Sequence, residues 1–139
     1  MKIFIIFLSV FVVVCVISTV YIVYSFFFAS SSKKVYIVDA DEFEKQLKAN
    51  NDEQLIDVRT PWEFKKKRIK GAINTEYPSV SFSTKIVALD KAKPVFVYCH
   101  SGYRSKMVIP ILCKAGFKTI FELGDGFTSW VKAGKSVVY

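Results

Sequence analysis

From Ile3 to Phe28 the chain carries no charge, no glycine and no proline, and this run constrains everything that follows it. Its 26 residues, relieved only by Ser9, Ser18, Thr19 and Ser25 among the uncharged side chains, form about 39 Å of helix at ~1.5 Å per residue. A bilayer core needs only about 20 such residues, so the segment spans with some tilt. A cleavable signal has a shorter apolar region of roughly 7–15 residues. Ala29 and Ser31 do make a small-x-small pattern. Val12-Val13-Val14 before Cys15 matches a lipoprotein signal only loosely, since a small residue belongs directly before that cysteine. The reading is an uncleaved anchor over residues 1–29, touching the lipid bilayer through residues 3–28, then a linker over 30–34 and one domain over 35–139.

Orientation draws on two opposed signals. Lys33 and Lys34 outweigh Lys2, which by the positive-inside rule favours a cytoplasmic domain. A minimal N-terminal tail before a long apolar run favours export, as in signal-anchors. The expectation is a single-pass membrane protein with its domain extracytoplasmic, that is, periplasmic.

Much of the 52% hydrophobic content lies in the first 30 residues. The remaining hundred or so residues suffice for a single core. The net charge of +8 is mostly lysine spread over the folded part. No basic block is interleaved with aromatics, so nucleic acid is not an expected partner. A basic surface suits anionic headgroups or small anionic substrates. The three cysteines, Cys15, Cys99 and Cys113, form no Cys-x-x-Cys pair and have no histidine at metal spacing. No metal site and no cofactor are expected. Cys113 reads as core packing, with a resolving thiol as the alternative.

The chemistry concentrates in Lys93–Lys106, KPVFVYCHSGYRSK. Val95 to Tyr98 is an apolar run that reads as a buried strand. Cys99 ends it, His100-Ser101-Gly102-Tyr103 forms a loop, and Arg104, Ser105 and Lys106 open a helix. A thiol placed where a strand meets a helix N-terminus faces backbone N–H groups and the positive end of the helix dipole. Such a setting favours the thiolate, which is the nucleophile. Gly102 allows the positive φ of a tight cradle, and Arg104 and Lys106 add fixed charge. His100, the only histidine, falls inside this loop.

Around this stretch strands and helices alternate. Val35–Val38 reads as a strand, Asp39-Ala40-Asp41 gives a cap, and Glu42–Lys48 reads as a helix with Phe43 and Leu47 on one face. Asn50-Asn51-Asp52 reads as a turn, and Leu55-Ile56 as a short buried strand ending at Asp57-Val58-Arg59. Thr60-Pro61-Trp62-Glu63 has the form of a capping box with proline at the first helical position. A second short strand falls at Gly71–Asn74, and a short helix between Pro78 and Asp90. The helix after the cysteine loop runs to about Lys114, with Pro110 expected to kink it or shift its register. Thr119–Leu123 reads as the last strand and Phe127–Ala133 as the last helix. The pattern predicts an α/β fold, a parallel sheet covered by helices on both faces, with ligands at the carboxyl ends of the strands.

Four pieces in order carry a family resemblance: Leu55–Phe64 (LIDVRTPWEF), Ile69–Asn74 (IKGAIN), Cys99–Ser105 (CHSGYRS), and Leu123–Trp130 (LGDGFTSW) with Ala133-Gly134. From about Val35 onward the chain resembles a single-domain rhodanese, of the sulfurtransferase family. Three departures stand out: Lys67-Arg68 where Gly-His is frequent, Asp125 where glycine is usual, and Pro110. Asp125 tolerates a positive φ moderately well.

The resemblance implies a rhodanese-like fold and a sulfane sulfur taken from thiosulfate or a persulfide donor onto Cys99, then passed to a thiol or cyanide. It makes Cys99 the catalytic residue and His100, Ser101, Gly102, Tyr103 and Arg104 the substrate-binding loop, with Arg104 orienting the small anionic donor or bracing the loop. Asp57, Arg59 and Glu63 read as structural, a capped helix start and an ion pair under the loop; Arg59 is also a possible anion contact. Cys99 to Arg104 spans Cys-x4-Arg, one residue shorter than the Cys-x5-Arg of phosphatases, which disfavours phosphatase or arsenate reductase activity. A further alternative is a non-catalytic module used for protein contacts or as a redox-sensing thiol.

Overall fold

The computed structural model describes residues 2–29, 32–50 and 54–139. It divides into two compact units, residues 1–32 and residues 33–139. The first is a single helix, α1 (Lys2–Ala29). Its stretch Ile6–Ser25 is long and apolar enough to cross a membrane. Ser9, Ser18, Thr19 and Ser25 donate their hydroxyls to carbonyls three or four residues back, so the helix carries these polar groups without unpaired hydroxyls.

The second unit alternates strand and helix: β1 (Lys34–Val38), α2 (Ala40–Ala49), β2 (Gln54–Asp57), α3 (Pro61–Lys66), β3 (Ile73–Asn74), α4 (Phe82–Val87), β4 (Val95–Tyr98), α5 (Tyr103–Lys114), β5 (Thr119–Leu123) and α6 (Gly126–Lys132). All strand pairs are parallel, in the order β1-β5-β4-β2-β3. The Asn50–Asp52 turn falls largely outside the described residues, as do two residues of the 30–34 linker.

Strand periodicity divides the core in two. Val95 and Val97 of β4 point to one face, where Ile86 of α4 and Val108 and Leu112 of α5 cover them. Phe96 and Tyr98 point to the other, against Phe43 of α2 and Phe127 and Trp130 of α6. That second face is aromatic: Phe96 stacks on Phe121 at 4.8 Å and meets Phe43 edge-on at 5.5 Å. β4 is buried along its whole length, with β5 and β2 on either side. The residue that follows it is therefore held at the centre of the sheet's carboxyl edge.

Local signals set the helix starts. Asp39 caps α2 by accepting from the Glu42 N–H at 2.9 Å. Thr60 and Glu63 form a full capping box at α3, with Pro61 at its first position. α5 continues through Pro110 for one further turn. One pairing has no signal in the local sequence: Arg68 and Val138 exchange backbone hydrogen bonds of 2.8 and 2.9 Å, tying the C-terminus beside α3.

Candidate active site

Cys99 follows β4 and lies among the apolar residues facing α4 and α5, with 1% of its surface exposed. Four residues carry the chain from strand to helix, and two glycines make this possible. Gly102, the N-cap of α5, has φ +83°, and a Cβ there would sit 1.9 Å from the Gly124 carbonyl oxygen. Gly126 has φ +64°, and a Cβ there would fall within 2.7 Å of the backbone at Cys99, His100 and Gly102. The loop is thus pressed against the start of α6. The Cys99 carbonyl accepts from the Phe127 N–H at 2.7 Å, and the His100 carbonyl from the Thr128 N–H at 3.0 Å. Asp125 has φ −104°, so the positive φ in this turn belongs to Gly126 and the residue before it needs no tolerance of it.

The carbonyls at the strand end of the loop are therefore taken up by α6. At the helix end, Gly102 provides no side-chain cap, and the first turn of α5 leaves N–H groups without intrahelical partners. Those donors and the dipole behind them put partial positive charge at the loop end of the helix.

The sequence-predicted residues divide between rim and support. His100, Ser101 and Tyr103 are exposed, His100 by 62%, while Gly102 is buried. Arg104 directs its guanidinium to Glu63, with Nη1 and Nη2 at 3.1 and 3.0 Å from the two carboxylate oxygens. It braces the first turn of α5 against α3. Glu63 also accepts from the Thr60 N–H and hydroxyl, both at 2.9 Å. Burial alone raises the Glu63 carboxyl, but the Arg104 and Thr60 hydrogen bonds outweigh it and bring it down to about 2. The Arg104 guanidinium is correspondingly raised by its hydrogen bond to Glu63.

Asp57 and Arg59 lie deeper. Arg59 is 3% exposed and pairs with Asp57 through Nη2 at 2.6 Å and Nε at 3.0 Å. It also donates to the Lys67 carbonyl at 2.7 Å and lies 4.1 Å from the centre of the Phe127 ring. Its Nε and Nη2 are thus taken up by Asp57 and the Lys67 carbonyl. These contacts tie it into the fold beside Tyr98 and Phe127.

Two residues beneath the loop were not singled out from the sequence. The Ser105 hydroxyl lies 3.4 Å from Cys99 Sγ, 3.2 Å from the Gly102 carbonyl oxygen and 2.6 Å from Glu122 Oε1. Glu122 is fully buried, and its Oε2 has no hydrogen-bond partner. Desolvation raises its carboxyl; the Ser105 hydrogen bond and the Lys106 charge oppose this only in part. The available signal was a lone glutamate in the buried strand TIFEL, on the same face as Ile120 and hence toward α5. Cys113 is half-buried and packs against the apolar core on that face.

A five-stranded parallel sheet whose central strand is followed by a cysteine, in a four-residue loop at a helix start, defines the architecture to compare with known families. The model of the Rhodanese-like domain matches residues 39–133, and the chain belongs to this family. It is 27% identical over 101 residues to a sulfurtransferase of Allochromatium vinosum, covering 73% of this chain and 92% of that one. It is 33% identical over 86 residues to the thiosulfate sulfurtransferase GlpE of Coxiella burnetii, covering 61% and 78% respectively. Among solved structures, a rhodanese-related protein of Thermoplasma volcanium superposes with a TM-score of 0.63 at 28% identity, covering 74% of this chain and 97% of the other. Family and relatives together support sulfurtransferase activity.

Proposed function

We propose that this protein is a membrane-anchored sulfurtransferase that moves a sulfane sulfur through a Cys99 persulfide. The observation that carries the reading is Cys99 at the carboxyl end of the central strand, beside the uncapped start of α5 and within reach of the Ser105 hydroxyl. In the loading step the Cys99 thiolate attacks the outer sulfur of thiosulfate. The new Sγ–S bond forms as the donor S–S bond breaks, and sulfite leaves with the electron pair. In the release step cyanide or a thiolate attacks the outer sulfur. The Sγ–S bond then breaks, its electron pair returns to Sγ, and thiocyanate or an acceptor persulfide departs. Loop N–H groups and the helix end stabilise the anionic persulfide between the two steps. His100, Ser101, Gly102 and Tyr103 form the binding loop; Arg104 fixes it through Glu63.

In the same reading residues 1–29 are a transmembrane anchor, 30–34 a linker and 35–139 the catalytic domain, on the extracytoplasmic side. The apolar stretch Ile6–Ser25 supports a span, being 20 residues long against the ~20 a bilayer core requires. The test is the intact mass of the full chain in detergent, before and after thiosulfate, beside Cys99→Ser. A gain of one sulfur atom, reversed by cyanide and absent in the variant, is expected. No gain with thiosulfate or with a persulfide donor, in folded and reduced protein, would sink the reading.

A further inference from the structure

Glu122 is the one charged-type side chain on the α5 side of the sheet that the apolar core cannot explain. Ile37 of β1 lies beside it in register, and Val97 of β4 on the other side. Above it, α5 contributes Ser105 and Lys106, and the turn before α6 contributes Asp125, whose charge opposes ionisation of Glu122. No arginine or lysine forms an ion pair with it among the described residues, and Oε2 is orphaned. An unpaired carboxylate in such a place is costly; the neutral acid is far less so. The same burial raises its carboxyl and so favours the protonated form over the carboxylate.

The Ser105 hydroxyl has one proton and three acceptors in reach: Cys99 Sγ at 3.4 Å, the Gly102 carbonyl oxygen at 3.2 Å and Glu122 Oε1 at 2.6 Å. It cannot donate fully to all three, and the shortest contact, to Glu122, decides what is left for the other two. We propose that Glu122 is a positioning residue for Cys99, acting through Ser105: a carboxylic-acid proton on Glu122 occupies the Ser105 oxygen as acceptor and turns the Ser105 proton toward Sγ. Loss of the acid proton to solvent turns the Ser105 proton back to the carboxylate and places a second anion beside the thiolate. The donor matters most in the release step, when the Sγ–S electron pair arrives at Sγ. This deepens the sulfur-transfer reading and rests on it for its biological purpose, but the coupling of Glu122 to Cys99 is measurable without any sulfur donor.

The experiment follows the rate at which iodoacetamide alkylates Cys99 in the full chain in detergent, from pH 4.5 to 9.5, quantified on the Cys99 peptide by mass spectrometry. Wild type, Glu122→Gln, Ser105→Ala and the double variant are compared. In Glu122→Gln no carboxylate can form, so the half-maximal pH is expected to fall by about one unit or more. In the Ser105→Ala background the same substitution is expected to shift it much less. Equal profiles for wild type and Glu122→Gln overturn the proposal; so does a shift of the same size with and without Ser105, which would leave only a through-space charge. Should Glu122→Gln fail to fold, the carbon-13 resonance of the wild-type Glu122 carboxyl decides. Alkylating Cys99 removes the competing thiolate and should lower the Glu122 titration midpoint, whereas an unmoved midpoint overturns the coupling. Thiosulfate loading, measured separately by intact mass, reports failure of the sulfur-transfer reading on its own.

Discussion

Two glutamates reach the first turn after the cysteine loop through different partners, Arg104 and Ser105, and their environments push their carboxyls in opposite directions. Glu63, at the start of α3, meets an arginine, a backbone N–H and a hydroxyl, and titrates down at about 2. Glu122, in β5, is fully buried with one serine for company, and is pushed up. The chemical group is the same in both. What differs is whether burial comes with a cation and enough donors to replace the lost water. Glu63 works as a permanent anion that locks Arg104 and the helix start in place. Glu122 is suited to hold a proton and to give it up as pH rises. Separation of paired carboxyls by environment is how one fold assigns a fixed structural charge and a titrating group to the same site.

The bluntest way to break this comparison is to move the helix start that both carboxyls address. In Gly102→Ala the new Cβ meets the Gly124 carbonyl oxygen, and the residue is held at φ +83°. A cost of about 3 kcal/mol or more is expected. Because Arg104 and Ser105 both follow from that turn, Cys99 reactivity should fall together with the urea midpoint. That midpoint is measured by the fluorescence of Trp62 and Trp130. A stable, fully reactive Gly102→Ala protein would show that the loop tolerates another backbone course.

A sharper test makes the same substitution at both glutamates and reads stability against pH. A carboxyl lowered on folding contributes stability that is present above its unfolded value of 4.5 and is lost as pH falls toward about 2. The advantage of wild type over Glu63→Gln should therefore stand at its full size above pH 4.5 and close below it. Allowing for the partial exposure of the pair, roughly 1–3 kcal/mol is expected at pH 7. For Glu122 the sign reverses. A carboxyl raised on folding binds its proton more tightly in the native state, so stability falls as pH climbs above 4.5 through its folded value. Glu122→Gln removes that fall, and the variant should gain on wild type over the same rise in pH. Two slopes of equal sign, from urea titrations between pH 3 and 9, would remove the contrast.

How much of this was legible in the sequence follows the range of the forces involved. The capping box at Thr60–Glu63 and the strand-loop-helix around Cys99 are local patterns, and the structure has them where the residues place them. The α/β sheet followed from the alternation of apolar strands and helices. Partnerships across the fold were not legible. Nothing near Glu63 announces Arg104, which lies 41 residues away, and nothing near Ser105 announces Glu122. For Arg59 the sequence leaves both a structural role and an anion contact open, because it gives the charge but not the burial; the fold surrounds it with Asp57, Lys67 and Phe127. The Arg68–Val138 bridge joins segments 70 residues apart that share no local pattern.

The smallest expected effect comes from the cation nearest to Glu122. Lys106 is exposed on α5 and pulls the Glu122 carboxyl down without forming a contact to it. Lys106→Gln should raise the Glu122 titration midpoint by only about a few tenths of a unit, because an exposed charge acting at a distance is heavily screened. The same logic makes salt a second probe. At about 1 M salt, where the Debye length is near 3 Å, wild type should titrate at Glu122 much as Lys106→Gln does. Glu63 should scarcely respond, since its charge is met directly by Arg104 at 3.0 Å. Carbon-13 carboxyl titrations of both residues at low and high salt measure the two responses in one sample. If Glu63 moved as much as Glu122, its low value would come from the general field of a basic protein and not from the contact that braces the loop.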